Sequence, residues 1–428
     1  MKFINYNSEN FWELLDEHLS LRHLETSSKI EADVSSIIED IKNFGDDKII
    51  QFAEKFDNIS LKKNDIKISN LKKLYSLDRL NNETIDSFKV AINNIKKFHE
   101  KQFPENYEII NMNAKLQSIW KPIDAVGLYI PGGNAVYPSS LIMSVIPAQI
   151  AGVERIVCVT PPTNNFNPYV AFLLDELGIS EVYQVGGAQA IAALAFGTDT
   201  IQPVNKIFGP GNAYVASAKK QVFGKVGIDL VAGPSEIVVV ADNNNNPEWV
   251  ASDLMAQAEH DENAQSILIT NNKSFADKVL DKIEQLKNRV SKKEIINLSL
   301  QKHGLIILID ELNLSYEIIN KIGPEHLHLQ SSKKEEILKK VNNAGGIFLG
   351  DYSTEAFGDY VAGTNHVLPT SGAAKFSSGL GVIDFMKKSS LVEINKTSFN
   401  ILSKHVENIA DVENLDAHKL SVTIRQTK

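Results

Sequence analysis

Cysteine is nearly absent from this chain of 428 residues: Cys158 is the only one, which rules out an internal disulfide. That scarcity fits a reducing compartment, and a cytoplasmic protein is expected. Cys158 lies in the apolar run Ile156-Val157-Cys158-Val159, the setting of a buried strand residue rather than a nucleophile. No apolar run approaches the roughly 20 residues needed to span a bilayer. The N-terminus, from Met1 to Asn7, lacks the apolar core of a signal peptide. Positive charge is not in excess either: a net charge of −9 and a pI near 5.7 argue against nucleic-acid binding as the main task. With 43% hydrophobic and 23% charged residues, the remainder is ordinary for a soluble enzyme, and the length calls for two larger domains.

Residues 1 to about 118 read as helices with short connections. The clearest starts at Asn82, taken as its N-cap, and carries Ile85, Phe88, Ile92 and Ile95 on one face. His18, His23 and His99 are isolated there and given no site role. From Ala125 onward, short apolar strands alternate with helices, and Ile237 to Ala241 reads as the strand closing this block. The alternation then repeats through Ser266–Thr270, Leu305–Ile309 and Gly346–Leu349. Strand–turn–helix units in series argue for parallel sheets with right-handed crossovers. The polar run Asp242 to Asn246 reads as a surface turn between blocks. The last fifty or so residues are too few to fold alone and must pack on their own chain or on a partner's.

Four polar places stand out. Gln257 and His260, three apart on a helix pattern, share one face. A metal site can begin this way, yet glutamine is an uncommon ligand and no His-Glu-x-x-His occurs, so a solvated polar helix end is the simpler reading. The run from Gly358 to His366 has no helical or strand period and reads as a shaped loop. Its Asp359 and His366, added to Gln257 and His260, make a mixed nitrogen and oxygen set of the kind zinc accepts. Glu325 and His326 offer adjacent bases of different strength, suited to a reaction with more than one proton removal. An edge strand with polar residues outward fits that pair equally well. Glu413 to His418 is the fourth place, ordinary in isolation. Glycine turns at 131–133, 186–187 and 209–211 come where strands give way to helices, as at phosphate-binding helix starts. None fits Gly-x-Gly-x-x-Gly, and tight turns would use the same glycines.

Taken together, these stretches resemble the histidinol dehydrogenase family. The resemblance is carried by Val126–Gly133, Gly186–Leu194, Gly209–Asn212, Ala232–Glu236, Gln257–His260, Gly323–Leu327, Gly358–Thr370 and Leu415–Lys419, in that order. It implies two incomplete Rossmann-like α/β domains in an intertwined homodimer. An N-terminal arm would cover 1–25, and the first domain 26–125 plus 240–375. The second, NAD-binding domain would cover 126–239, and a segment crossing to the partner 376–428. It also implies oxidation of L-histidinol to L-histidine by two NAD+, the last two steps of histidine synthesis. Gln257, His260, Asp359 and His418 would bind one zinc ion, with His418 donated by the other subunit. His326 would accept the hydroxyl proton and Glu325 would activate water. Ser235, His366 and Glu413 would contact substrate, and Tyr129, Gln189 and Asn212 the cofactor. Lys375 and Gly381 depart from the family pattern, which has arginine and serine there. A zinc hydrolase would use the same metal set but leave the glycine turns and Tyr129 idle. A non-catalytic binding protein would leave the paired bases unexplained.

Overall fold

A computed structural model describes residues 1–21, 28–132, 137–231 and 233–426. Gly133 and Asn134 of the first glycine turn, together with Ala232 and His23, lie outside the described residues. The strands are β1 (Lys2–Asn5), β2 (Tyr107–Asn111), β3 (Ala114–Pro122), β4 (Ala125–Tyr129), β5 (Arg155–Thr160), β6 (Glu181–Gln184) and β7 (Lys206–Phe208). They continue with β8 (Gly227–Ile228), β9 (Glu236–Val240), β10 (Gln265–Thr270), β11 (Leu305–Leu308), β12 (His326–Leu329), β13 (Gly346–Leu349) and β14 (Met386–Glu393).

Two parallel sheets carry the fold. The first runs β1-β11-β10-β9-β12-β13 and the second β6-β5-β4-β7-β8. Apart from the edge strand β1, each sheet starts at a central strand (β9 or β4), steps outward twice, then crosses to the other side. This is the strand order of dinucleotide-binding folds, with a switch point beside the entry strand. Every residue of β9 is buried, as a parallel strand covered on both faces requires. Ile237 and Val239 face the helices Pro247–Ala258 and Lys273–Leu286, while Val238 and Val240 join Phe11, Leu15 and Ile318 on the opposite face. The second sheet is likewise sandwiched, with Val126, Leu128 and Cys158 against helix Pro138–Ala151 and Val157 and Val159 against helix Gly187–Phe196. Among the described residues, no helix is long and apolar enough to cross a membrane.

The structure corrects the expected organisation in several places. The N-terminal arm is not separate, because β1 pairs in parallel with β11 at the edge of the first sheet. β9 does not close the second block: it pairs with β10 and β12, which come later in the chain, and adjacency in sequence hid this. Helices Ser28–Phe44 and Asp46–Asp57, expected in the first domain, bury Val34, Ile41 and Ile49 against the second sheet. Helix Asn82–His99 is capped by Asn81 rather than Asn82, the Asn81 side chain accepting from the Thr84 N–H. The N-terminal region is also not wholly helical. β2 and β3 form an antiparallel sheet with β14 from the tail. β2 is exposed along its whole length, so no buried face imprinted a period on it.

Candidate active site

The polar residues converge on the amino edge of the first sheet, where β9 and β12 begin side by side. Glu325 immediately precedes β12 and His326 is its first residue, and the register sets His326 beside Ile237. Glu325 accepts a hydrogen bond from the Glu236 backbone N–H at 2.9 Å through Oε2, which lies 3.7 Å from His326 Nδ1. His326 Nδ1 lies 3.2 Å from the Glu236 carbonyl oxygen. Because a carbonyl only accepts, this contact is a hydrogen bond when Nδ1 carries a proton, and in the neutral ring Nε2 then keeps the lone pair. That Nε2 is buried without a hydrogen-bond partner and points toward Asp359 Oδ1 at 3.8 Å. It lines a cleft of about 680 Å³ together with Asp359, His366, Phe98 and Phe348.

Asp359 arrives on a short helix, Glu355–Tyr360, so the run from Gly358 begins as a helical turn rather than as a loop. Glu355 stands one turn before Asp359, and both acids face the cluster. Ligand atoms of His260, Glu355 and Asp359 lie within 4.8 Å of one another, close enough to share one cation. Gln257, buried at the end of helix Pro247–Ala258, has its amide nitrogen 3.0 Å from His326 Nδ1 and 3.1 Å from Glu355 Oε2 once the amide is oriented to meet its neighbours. His366 bridges the two sheets: Nδ1 donates to the Asp359 carbonyl at 2.9 Å, and Nε2 lies 3.2 Å from Ser140 Oγ. Ser235, half-buried, leads directly into β9.

Charge in this cluster is unbalanced. Burial pushes Glu325 up to about 7 and Glu355 up to about 8. Burial alone would lower His326, but the Glu325, Asp359 and Glu355 carboxylates outweigh it and carry the imidazole up to about 10. Burial would raise Asp359, yet the His326, His366 and His260 rings bring it below its ordinary value. The His260 side chain is exposed, yet desolvation by the surrounding protein lowers its pKa, favouring the neutral form that binds metals. A dication beside His260 and Asp359 would offset the surplus carboxylate charge and lower His326 toward the range of a working base. The donor set and the unpartnered His326 Nε2 therefore fit a bound metal.

The cofactor candidates gather at the carboxyl edge of the second sheet, beside the switch point between β4 and β7. Tyr129 ends β4, and its hydroxyl accepts from the Gly187 N–H at 3.2 Å. Gln189 is buried in the first turn of helix Gly187–Phe196. Asn212 caps helix Ala213–Val222, its Oδ1 accepting from Tyr214 N–H at 3.1 Å and Val215 N–H at 3.2 Å. Gly209 opens this turn with φ +115°, and a Cβ there would lie 2.2 Å from the Tyr129 carbonyl oxygen. Asp229 accepts from the Gly209 N–H at 2.8 Å, Lys219 donates to the Gly209 carbonyl at 3.0 Å, and the two form a buried ion pair.

Not every candidate is brought together. Glu413 and His418 are exposed on the tail and are not among the residues of the cation-sized cluster. Glu355, by contrast, had no place in the sequence reading. Its spacing from Asp359, four residues along one helix face, was the available signal, and Gly358 masked the helix. His328 is used structurally: its Nδ1 meets Asp253 at 3.2 Å and its Nε2 the Gly350 carbonyl at 2.9 Å, at the opposite edge of the sheet.

The chain matches the histidinol dehydrogenase family model over residues 21–426. It is 45% identical over 403 residues to the histidinol dehydrogenase of Brucella suis, covering 94% of each chain. It is also 45% identical over 407 residues to that of Rhodospirillum rubrum, again covering 94% of each. The crystal structure of histidinol dehydrogenase from Elizabethkingia anophelis superposes with a TM-score of 0.93 at 35% identity, covering 100% of this chain and 98% of that one. With paired bases, a cation-sized donor cluster and a dinucleotide-type sheet joined in one chain, this protein belongs to the histidinol dehydrogenase family of oxidoreductases.

Proposed function

We propose that the chain oxidises L-histidinol to L-histidine through the aldehyde, with two NAD+ as acceptors and one zinc ion per site, in the cytoplasm. The carrying observation is His326 Nε2, a buried base without a partner, opening onto the cleft that holds Asp359 and set beside Glu325. Gln257, His260 and Asp359 would hold the zinc, completed by His418 from the tail of a second copy. When bound, zinc orients the substrate's nitrogen atoms and NAD+ takes up hydride. His326 Nε2 takes the hydroxyl proton as the alcohol carbon gives up hydride. Glu325, raised to about 7 by burial, is poised to take a proton from the water that adds to the aldehyde carbon. Ser235, His366 and Glu413 would contact the substrate, and Tyr129, Gln189 and Asn212 the cofactor.

A second copy is supported by the tail. β14 and helix Lys396–Val412 leave Val392 63%, Ile409 60% and Val412 83% exposed, and Leu420 in the last helix is 61% exposed. A symmetric partner would cover these exposed apolar side chains while delivering His418. The test is NADH production from L-histidinol by the purified protein, with and without chelator. Production that stops on chelation and returns with zinc supports the reading. Zinc-containing protein that makes no NADH sinks it.

A further inference from the structure

We propose that Glu355 is a positioning residue that sets the Gln257 amide and thereby the donor set around His260 and Asp359. The proposal rests on the metal reading above. Gln257 is 1% exposed and Glu355 2%, so water cannot supply either with partners. The Gln257 amide faces the Glu236 carbonyl oxygen at 3.2 Å, and a carbonyl only accepts, so the amide nitrogen must be the branch on that side. The same nitrogen then reaches Glu355 Oε2 at 3.1 Å. Its two protons are thereby assigned, one to the carbonyl and one to the carboxylate, and His326 Nδ1, 3.0 Å away, meets it as a second donor to the same carbonyl rather than as an acceptor.

His326 Nδ1 uses the same carbonyl at 3.2 Å. His326 and Gln257 are therefore tied to one carbonyl of β9, and Glu355 holds the amide against it. Fixing the nitrogen leaves Oε1, the amide's good lone-pair donor, on the other branch and available to a cation. Without Glu355 the amide keeps only the shared carbonyl and can rotate. Glu355 also lies 3.9 Å from His326 Nδ1, where its charge favours the protonated ring formed after base action. Nothing in the resemblance assigned this residue a task. The Gln257 amide gives this buried carboxyl group a hydrogen-bond partner besides the nearby His326 ring.

The test compares Glu355→Ala with Glu355→Gln by zinc affinity, read by competition with a chromogenic chelator. In Glu355→Gln the new amide oxygen still accepts from Gln257, so affinity should stay within about threefold, whereas Glu355→Ala should lose roughly 10–100-fold. KM for histidinol should rise in the alanine variant and recover in the glutamine variant. Unchanged zinc affinity in Glu355→Ala overturns the proposal. So does an equal loss in both variants, which would make Glu355 a direct ligand. If the alanine variant fails to fold, the glutamine variant decides alone: retention supports positioning and loss overturns it. Unsubstituted protein that binds no zinc removes the metal reading itself, and this proposal with it.

Discussion

Replacing Lys219 with methionine tests how the Gly209 turn is held. Lys219 and Asp229 are 2% and 3% exposed, and together they hold the N–H and the carbonyl of Gly209. Methionine fills much of the lysine stem's volume, so packing changes little. What changes is charge: Asp229 stays buried, its carboxylate holding only the Gly209 N–H. Breaking such a pair from one side costs about 3–5 kcal/mol. Spread over a chain of 428 residues, that lowers Tm by about 4 °C, and by several times more if the second sheet melts alone. Adding Asp229→Leu removes the orphaned charge and leaves the Gly209 N–H and carbonyl oxygen without these partners, at about 1–3 kcal/mol each. Urea unfolding of parent, single and double variants measures this directly. A single variant within about 1 kcal/mol of the parent would refute the clamp, since no uncompensated charge would then be buried.

Other outcomes follow from the same geometry. Glu325→Gln should slow the water-addition step by roughly 10²–10⁴-fold while leaving the first oxidation measurable, so an aldehyde-trapping reagent should capture product from this variant and not from the parent. Zinc-free protein should lose stability as pH rises. Glu325 is raised from 4.5 to about 7 and His326 from 6.5 to about 10, so each contributes fully below its unfolded pKa and loses that contribution as pH climbs through its folded one. The Glu325 share is about 3 kcal/mol, and because the lowered His260 and His366 act oppositely only up to about pH 6.5, denaturant midpoints that stay level or rise between about pH 7 and 9 would contradict the predicted fall. Mixing His260→Ala with His418→Ala should restore about a quarter of parental activity if the tail completes a neighbour's site. No restoration after subunit exchange would place His418 elsewhere.

Much of the fold was legible because parallel strands buried on both faces leave unbroken apolar runs, as at Ile237–Val240 and Leu305–Leu308. Which sheet a strand joins was not legible, since β9 pairs with strands that come after it. The exposed β2 had no buried face to reveal it. Asp242 and Asn245 looked like a surface turn but are buried, Asp242 accepting from Ser332 and Asn245 donating to the Gln330 carbonyl and to Asp351. Their polarity reads as exposure until the partners from distant segments are known. In the site, Gln257, His260, Glu325, His326 and Asp359 were all nameable from residue type and spacing. Their meeting at the amino edge of the first sheet was not, because such folds more often use the carboxyl edge. Here that edge carries the network of His328, Asp253 and Gln330.

The most direct measurement is NADH formed per L-histidinol consumed by the zinc-loaded protein. Two bases at one centre, with the intermediate retained between steps, require a ratio near two that collapses on chelation. A ratio near one with free aldehyde in solution would contradict the role given to Glu325 and reduce the chain to a simple alcohol oxidoreductase.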